Sequence, residues 1–171
     1  CHSPEGTLPL SGGQAFHMGP IADLYPPNLT PGGEQLAKAS DAQLARAIRD
    51  GVTGEGHAML IMPSDAYRGM SDTDLRDLIG YLRSQPAVTS ADTTHQYKFL
   101  GTVLVGLGMF PTSVQPALRD AVPDVLPSAG LEYGQYQARM SGCIQCHGAA
   151  LHGGNVSKVN IAAIADGHTF A

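Results

Sequence analysis

The sequence predicts a mainly α-helical chain of two tandem units joined by a Pro-rich linker, with the second unit incomplete. Three observations lead there. Apolar residues recur at helical spacing in three stretches, two of them opened by capping residues. No stretch alternates apolar and polar residues as a half-buried strand would. A Cys-His element late in the chain is echoed by its first two residues.

Residues 1–86 read as the first unit. Ser40-Asp41-Ala42-Gln43 has the form of a capping box, in which a hydroxyl and an amide satisfy each other's backbone N–H groups. Leu44, Ala47 and Ile48 follow at helical spacing, and Gly51 is a natural stop. Ser71 opens a second helix in the same way. Leu75, Leu78, Ile79 and Leu82 form one apolar stripe there, and Pro86 closes it. Between these helices, residues 52–69 form a Gly/Met/Pro loop without a period.

Residues 87–130 read as a linker stiffened by Pro111, Pro116, Pro123 and Pro127. Its most apolar run, residues 99–110 (FLGTVLVGLGMF), is too short for a membrane helix, which needs about 20 residues. It reads as an interdomain or interfacial element. Residues 131–171 are the start of the second unit. A helix from Leu131, with Tyr133, Tyr136, Gln137 and Met140 on one face, leads into Cys143.

Cys143-Ile144-Gln145-Cys146-His147 carries the chemistry. Two cysteines three positions apart lie on one face of a helical turn, so both thiols reach the two vinyl groups of one porphyrin. The next residue offers an imidazole to the iron. This is the attachment pattern of a c-type haem. Cys143 and Cys146 are the thioether residues and His147 the axial ligand, and the pattern carries with it an exported location. Zinc would need four ligands, and Cys1-His2, His152 and His168 form no clean second pair. A thioredoxin-like dithiol would need a βαβ setting, and no β-rich run precedes the motif.

The amino-terminal Cys1-His2 repeats the last two letters of that motif. Cys146-His147 is followed by Leu151-His152-Gly153-Gly154, and Cys1-His2 by Leu10-Ser11-Gly12-Gly13. Asn28-Leu29 is a weaker match to Asn160-Ile161. The expectation is an internal repeat whose first copy has lost its opening Cys-x-x. Only 24 residues follow His147, with no methionine after Met140, so the second copy is expected to be incomplete.

A six-coordinate haem needs a ligand opposite its histidine, and methionine is the common partner. Met62, ahead of Pro63 in the loop between the two helices, is favoured over Met59 and Met70 for His2's iron. Any of these could instead fill core gaps. His17, His57, His95, His152 and His168 read as surface residues, with His152 or His168 a lesser candidate for the second iron.

Bulk properties narrow the function. Ten Lys and Arg against 15 Asp and Glu give a net charge of −5, with no basic stripe, which argues against nucleic-acid binding. Twenty-one Gly and 12 Pro point to many turns, and a loop-rich domain benefits from an internal prop such as a cofactor. There is neither a Rossmann glycine pattern nor a catalytic triad signal, so intrinsic catalysis is not expected.

Cys1-His2, Pro27-Asn28-Leu29-Thr30-Pro31, Ile48-Arg49-Asp50-Gly51, Met62-Pro63, Tyr67-Arg68-Gly69-Met70-Ser71, Tyr81-Leu82-Arg83-Ser84 and the motif from Cys143 carry a family resemblance. On these residues the chain resembles the dihaem class I c-type cytochromes of bacteria and is similar to cytochrome subunits of membrane-bound dehydrogenases. The resemblance spans nearly the whole chain. It implies tandem cytochrome c-like domains with two covalently attached haems c, a thioether link through Cys1 and His2/Met62 ligation. It also implies export to the periplasm or the outer face of the cytoplasmic membrane. Electron transfer would run between a donor dehydrogenase and an acceptor oxidase or cytochrome, with membrane association through missing segments or a partner subunit. The first Cys of unit one and the distal Met of unit two are absent, both at ends that read as cut. The alternatives are a haem enzyme or sensor with an open iron site, and a zinc-binding interaction module.

Overall fold

The computed structural model describes residues 1–90, 94–109, 112, 114–148 and 151–153. Its regular structure is mainly helical, with one small antiparallel sheet. By its contacts the chain divides into two compact units, one drawn from residues 1–39 and 80–111, the other from 40–79 and 112–160.

The first unit holds the sheet, where the sequence pattern predicts no strand. Strands β1 (Phe16–His17), β2 (Ala22–Leu24) and β3 (Gln96–Tyr97) pair in that order. Phe16 faces Leu24, and Ala22 faces Tyr97. Strands of two or three residues are too short to write an alternation into the sequence. Ala22 and Leu24 of the central strand are fully buried. Helix α1 (Glu34–Lys38) buries Leu36, and its last turns are tied to Arg83, which donates to the carbonyls of Leu36 and Ala39 at 3.2 and 2.7 Å.

Helix α5 (Phe99–Gly106) occupies the apolar run. It joins this unit through a glycine: Gly101 is buried, and a Cβ there would overlap the Ile21 carbonyl. Its large side chains point elsewhere, with Phe99 and Val103 exposed. Among the described residues no helix is long and apolar enough to cross a membrane.

The predicted helices begin in the second unit. In α2 (Asp41–Asp50), both halves of the Ser40/Gln43 capping box are formed, and Gly51 ends the helix in the left-handed region at φ 68°. Helix α4 (Asp72–Ser84) starts with the Asp74 N–H on Ser71 Oγ at 3.0 Å. Ile48 of α2 packs with Met70, Leu75 and Ile79, and Met62, Tyr67 and Met140 lie against that cluster. One helical turn the period did not reveal, α3 (Ser64–Tyr67), follows Pro63. Helix α6 (Leu131–Met140) buries Tyr136, and α7 (Cys143–His147) follows after a left-handed Gly142.

Candidate haem-attachment sites

Cys1 is exposed with a free thiol, and His2 is half-buried. His2 Nδ1 lies 2.9 Å from the Pro27 carbonyl oxygen. A carbonyl can only accept, so Nδ1 carries the proton and donates. That tautomer leaves the Nε2 lone pair free, which is how an imidazole is prepared to bind a metal. Burial lowers the His2 pKa, while the Pro27 bond acts in the opposite direction.

The carbonyl that orients His2 is itself held. Asn28, 2% exposed, donates from Nδ2 to the Val88 carbonyl at 2.8 Å and to Ser90 Oγ at 2.9 Å. Its Oδ1 accepts from the N–H and hydroxyl of Thr30, both at 2.8 Å. Ser90 Oγ reaches on to the Ser11 carbonyl at 2.8 Å. The glycine pair closes the loop: the Gly12 N–H donates to the His2 carbonyl at 3.1 Å, and the Gly13 N–H to Pro26 at 3.2 Å. A Cβ on Gly13 would overlap the Cys1 carbonyl. A cavity of about 230 Å³ opens beside Cys1, bordered by Gln14 and Phe16.

At the second motif, α7 places Cys143 and Cys146 three residues apart on one helical turn, as the spacing requires. Cys143 is exposed with a free thiol, and His147 is exposed. The loop turns through Gly148 and Leu151, both at positive φ, and the Gly153 N–H donates to the His147 carbonyl at 3.0 Å. The Cys146 side chain lies outside the described residues, as do Gly154, Asn160-Ile161, His168 and the chain to Ala171.

Met62 is half-buried in the loop between α2 and α4. Its neighbour Met70 is a member of the buried core, which suits it to gap-filling rather than ligation. His2 belongs to the first compact unit and Met62 to the second. His17, His57, His95 and His152 are exposed. His17 pairs with Asp23 at 2.8 Å, and His95 Nδ1 accepts the Tyr25 N–H at 3.1 Å.

Among the described residues no three His, Cys, Asp or Glu side chains gather as a metal cluster. A structural zinc draws four ligands from the protein. A haem iron takes only its axial ligands there, because the porphyrin supplies the rest. The donors present, an oriented His2 beside a free Cys1 thiol and the Cys143–His147 turn, fit a covalently attached haem.

Sequence reasoning missed a set of charges. Arg49 and Asp50 end α2 and are buried, although each belongs to a type expected outside. Arg49 donates to Asp72 at 2.7 Å and to the Met70 carbonyl. The bond to Asp72 holds its carboxyl below the usual carboxylate range. Ile48-Arg49-Asp50-Gly51 was visible as a segment of the family resemblance, but nothing local in it marks the two charges at the end of amphipathic α2 as buried.

No family model matches the chain. It is similar to a nicotinate dehydrogenase subunit of Pseudomonas putida, with 33% identity over 101 residues, 58% of this chain and 8% of that protein. It is also similar to the fructose dehydrogenase cytochrome subunit of Gluconobacter japonicus, with 25% identity over 142 residues, 81% of this chain and 29% of that protein. The chain thus spans less than a third of the length of either relative. Both are dehydrogenase subunits by name, and one is a cytochrome, in agreement at that level with the resemblance carried by the motifs.

Proposed function

We propose that the chain is an electron-transfer module of an oxidoreductase complex, carrying two covalently attached haems c. One is held through Cys1, with His2 and Met62 as axial ligands. The other is held through Cys143 and Cys146, with His147. Residues 1–86 and 131–171 belong to the two haem units, and residues 87–130 join them. The reading includes export to the periplasmic side and redox partners among the other subunits of such a complex.

The observation that carries it is the His2 Nδ1 bond to Pro27. An imidazole whose Nδ1 is engaged by a backbone carbonyl keeps Nε2 available beside a free thiol, which is the tautomer an axial ligand needs and supports the reading. Bound haem supplies an iron that cycles between ferric and ferrous states. The chain contributes the rest: Pro27 and Asn28 fix the ring, Gly13 allows the backbone to close on Cys1, and α7 sets the backbone of Cys143 and Cys146 on one helical turn.

The test is a pyridine-haemochrome assay on the exported protein, after extraction that strips non-covalent haem. Two haems retained per chain is the expected result, and absence of haem iron defeats the reading. A low-spin spectrum at both haems, with no carbon monoxide binding by the reduced protein, is expected of a carrier. A high-spin haem would favour the open-site alternative.

A further inference from the structure

We propose that Asp50 is a positioning residue for the Met62 loop: its carboxylate ties the far end of the loop, at Arg68, to the backbone of Leu118 and thereby holds the Met62 sulfur in place for an iron. The proposal rests on reading Met62 as an axial ligand.

Asp50 is the last residue of α2 and is only 4% exposed. Neither fact favours a carboxylate. The carboxyl end of a helix carries partial negative charge, and a buried anion is costly unless it is paired. The compensation lies in what Asp50 joins. Its Oδ1 accepts from Arg68 Nη1 at 3.0 Å, at the far end of the methionine loop. The same oxygen accepts the Leu118 N–H at 3.3 Å, and the Asp50 backbone carbonyl accepts the Gln115 N–H at 2.8 Å. One residue therefore binds the loop's entry, its exit and a segment far along the chain.

The neighbouring contacts have the same sense. Arg49 grips the Met70 carbonyl and Asp72, where the loop passes into α4. Ser64 Oγ donates to the Ala47 carbonyl at 3.3 Å, just past Pro63. The segment after Leu118 continues along α4, with the Asp72 N–H on the Val122 carbonyl at 3.1 Å and Thr73 Oγ1 on Asp124 at 3.0 Å. Met62 itself is anchored by its half-buried side chain and by the Ser64 N–H on its carbonyl at 2.8 Å. Its side chain rests on the core cluster, and its backbone is carried by the base of the loop, of which Asp50 is the centre.

The test uses the haem-loaded protein and three variants: Met62→Ala, Asp50→Asn and Arg68→Gln. The readouts are the red-end absorption band of a methionine–ferric haem bond, carbon monoxide binding by the reduced form, and thermal melting by circular dichroism. Met62→Ala defines the share of the band that belongs to this loop. Asn keeps an acceptor for Leu118 but no charge for Arg68, so Asp50→Asn should lower that share to less than about half and admit carbon monoxide. Arg68→Gln, at a more exposed side chain, should move both in the same direction by less. If both variants keep the full band while Met62→Ala loses it, Asp50 is a fold residue only and the proposal is overturned. If Met62→Ala keeps the band, the ligand reading itself fails. Should Asp50→Asn not fold, Arg68→Gln decides, a reduced band supporting the proposal and a full one overturning it.

Discussion

The loops that follow His2 and His147 close in the same way and differ in how the histidine is held. In each, the first glycine of a Leu-x-Gly-Gly element takes a positive φ, 104° at Gly12 and 87° at Gly153. In each, that glycine returns its N–H to the histidine carbonyl, at 3.1 and 3.0 Å. Around His2 the walls are dense: the ring is tied to Pro27, a Cβ on Gly13 would meet the Cys1 backbone, and Asn28 is buried in its own hydrogen bonds. His147 is exposed, and a Cβ on Gly153 would meet nothing within 4 Å, while the two cysteines, Cys1 and Cys143, are exposed alike. The backbone closure is local and travels with the short motif. The orientation of the imidazole is not local, because it needs a carbonyl 25 residues away and the network behind it.

That contrast can be broken by substitution. The largest effect is expected for Asn28→Ala, which strands the buried Thr30 N–H and removes a donor from the Val88 carbonyl and Ser90 Oγ. A loss of about 3 kcal/mol follows from leaving several buried groups unpaired, measured by denaturant unfolding. The same variant should loosen haem at the first site and leave the second unchanged. Gly13→Ala comes next, at about 2 kcal/mol, because the backbone must move to admit the methyl group. Gly153→Ala should cost about 1 kcal/mol, the strain of a positive φ without a clash. A cost at Gly13 no larger than that at Gly153 would mean that the Cys1 backbone is not closely packed on the first loop, and the dense-wall side of the comparison would fail.

The helices were legible where a cap and a period coincide. Ser40, Gln43 and Gly51 bound α2 through hydrogen bonds and a φ that those residue types favour, all within a few positions. The strands were not legible, since β1 and β3 each have two residues and take their pairing from distant chain. Helix α5 was visible as an apolar run, yet its docking through Gly101 inverts the usual rule that the apolar face is the buried one. At the sites, the Cys-x-x-Cys-His spacing and the glycine echo were readable because they are local. The roles of Pro27, Asn28 and Asp50 were not, because each acts through a partner far away in sequence.

The central claim is that Cys1-His2 is a haem site in its own right rather than a chance echo. It is tested most directly by replacing both Cys143 and Cys146 with Ala and counting covalently bound haem per chain by pyridine haemochrome and intact-mass spectrometry. One haem should remain, attached through Cys1. A chain with no covalent haem, folded as judged by circular dichroism, would contradict the claim.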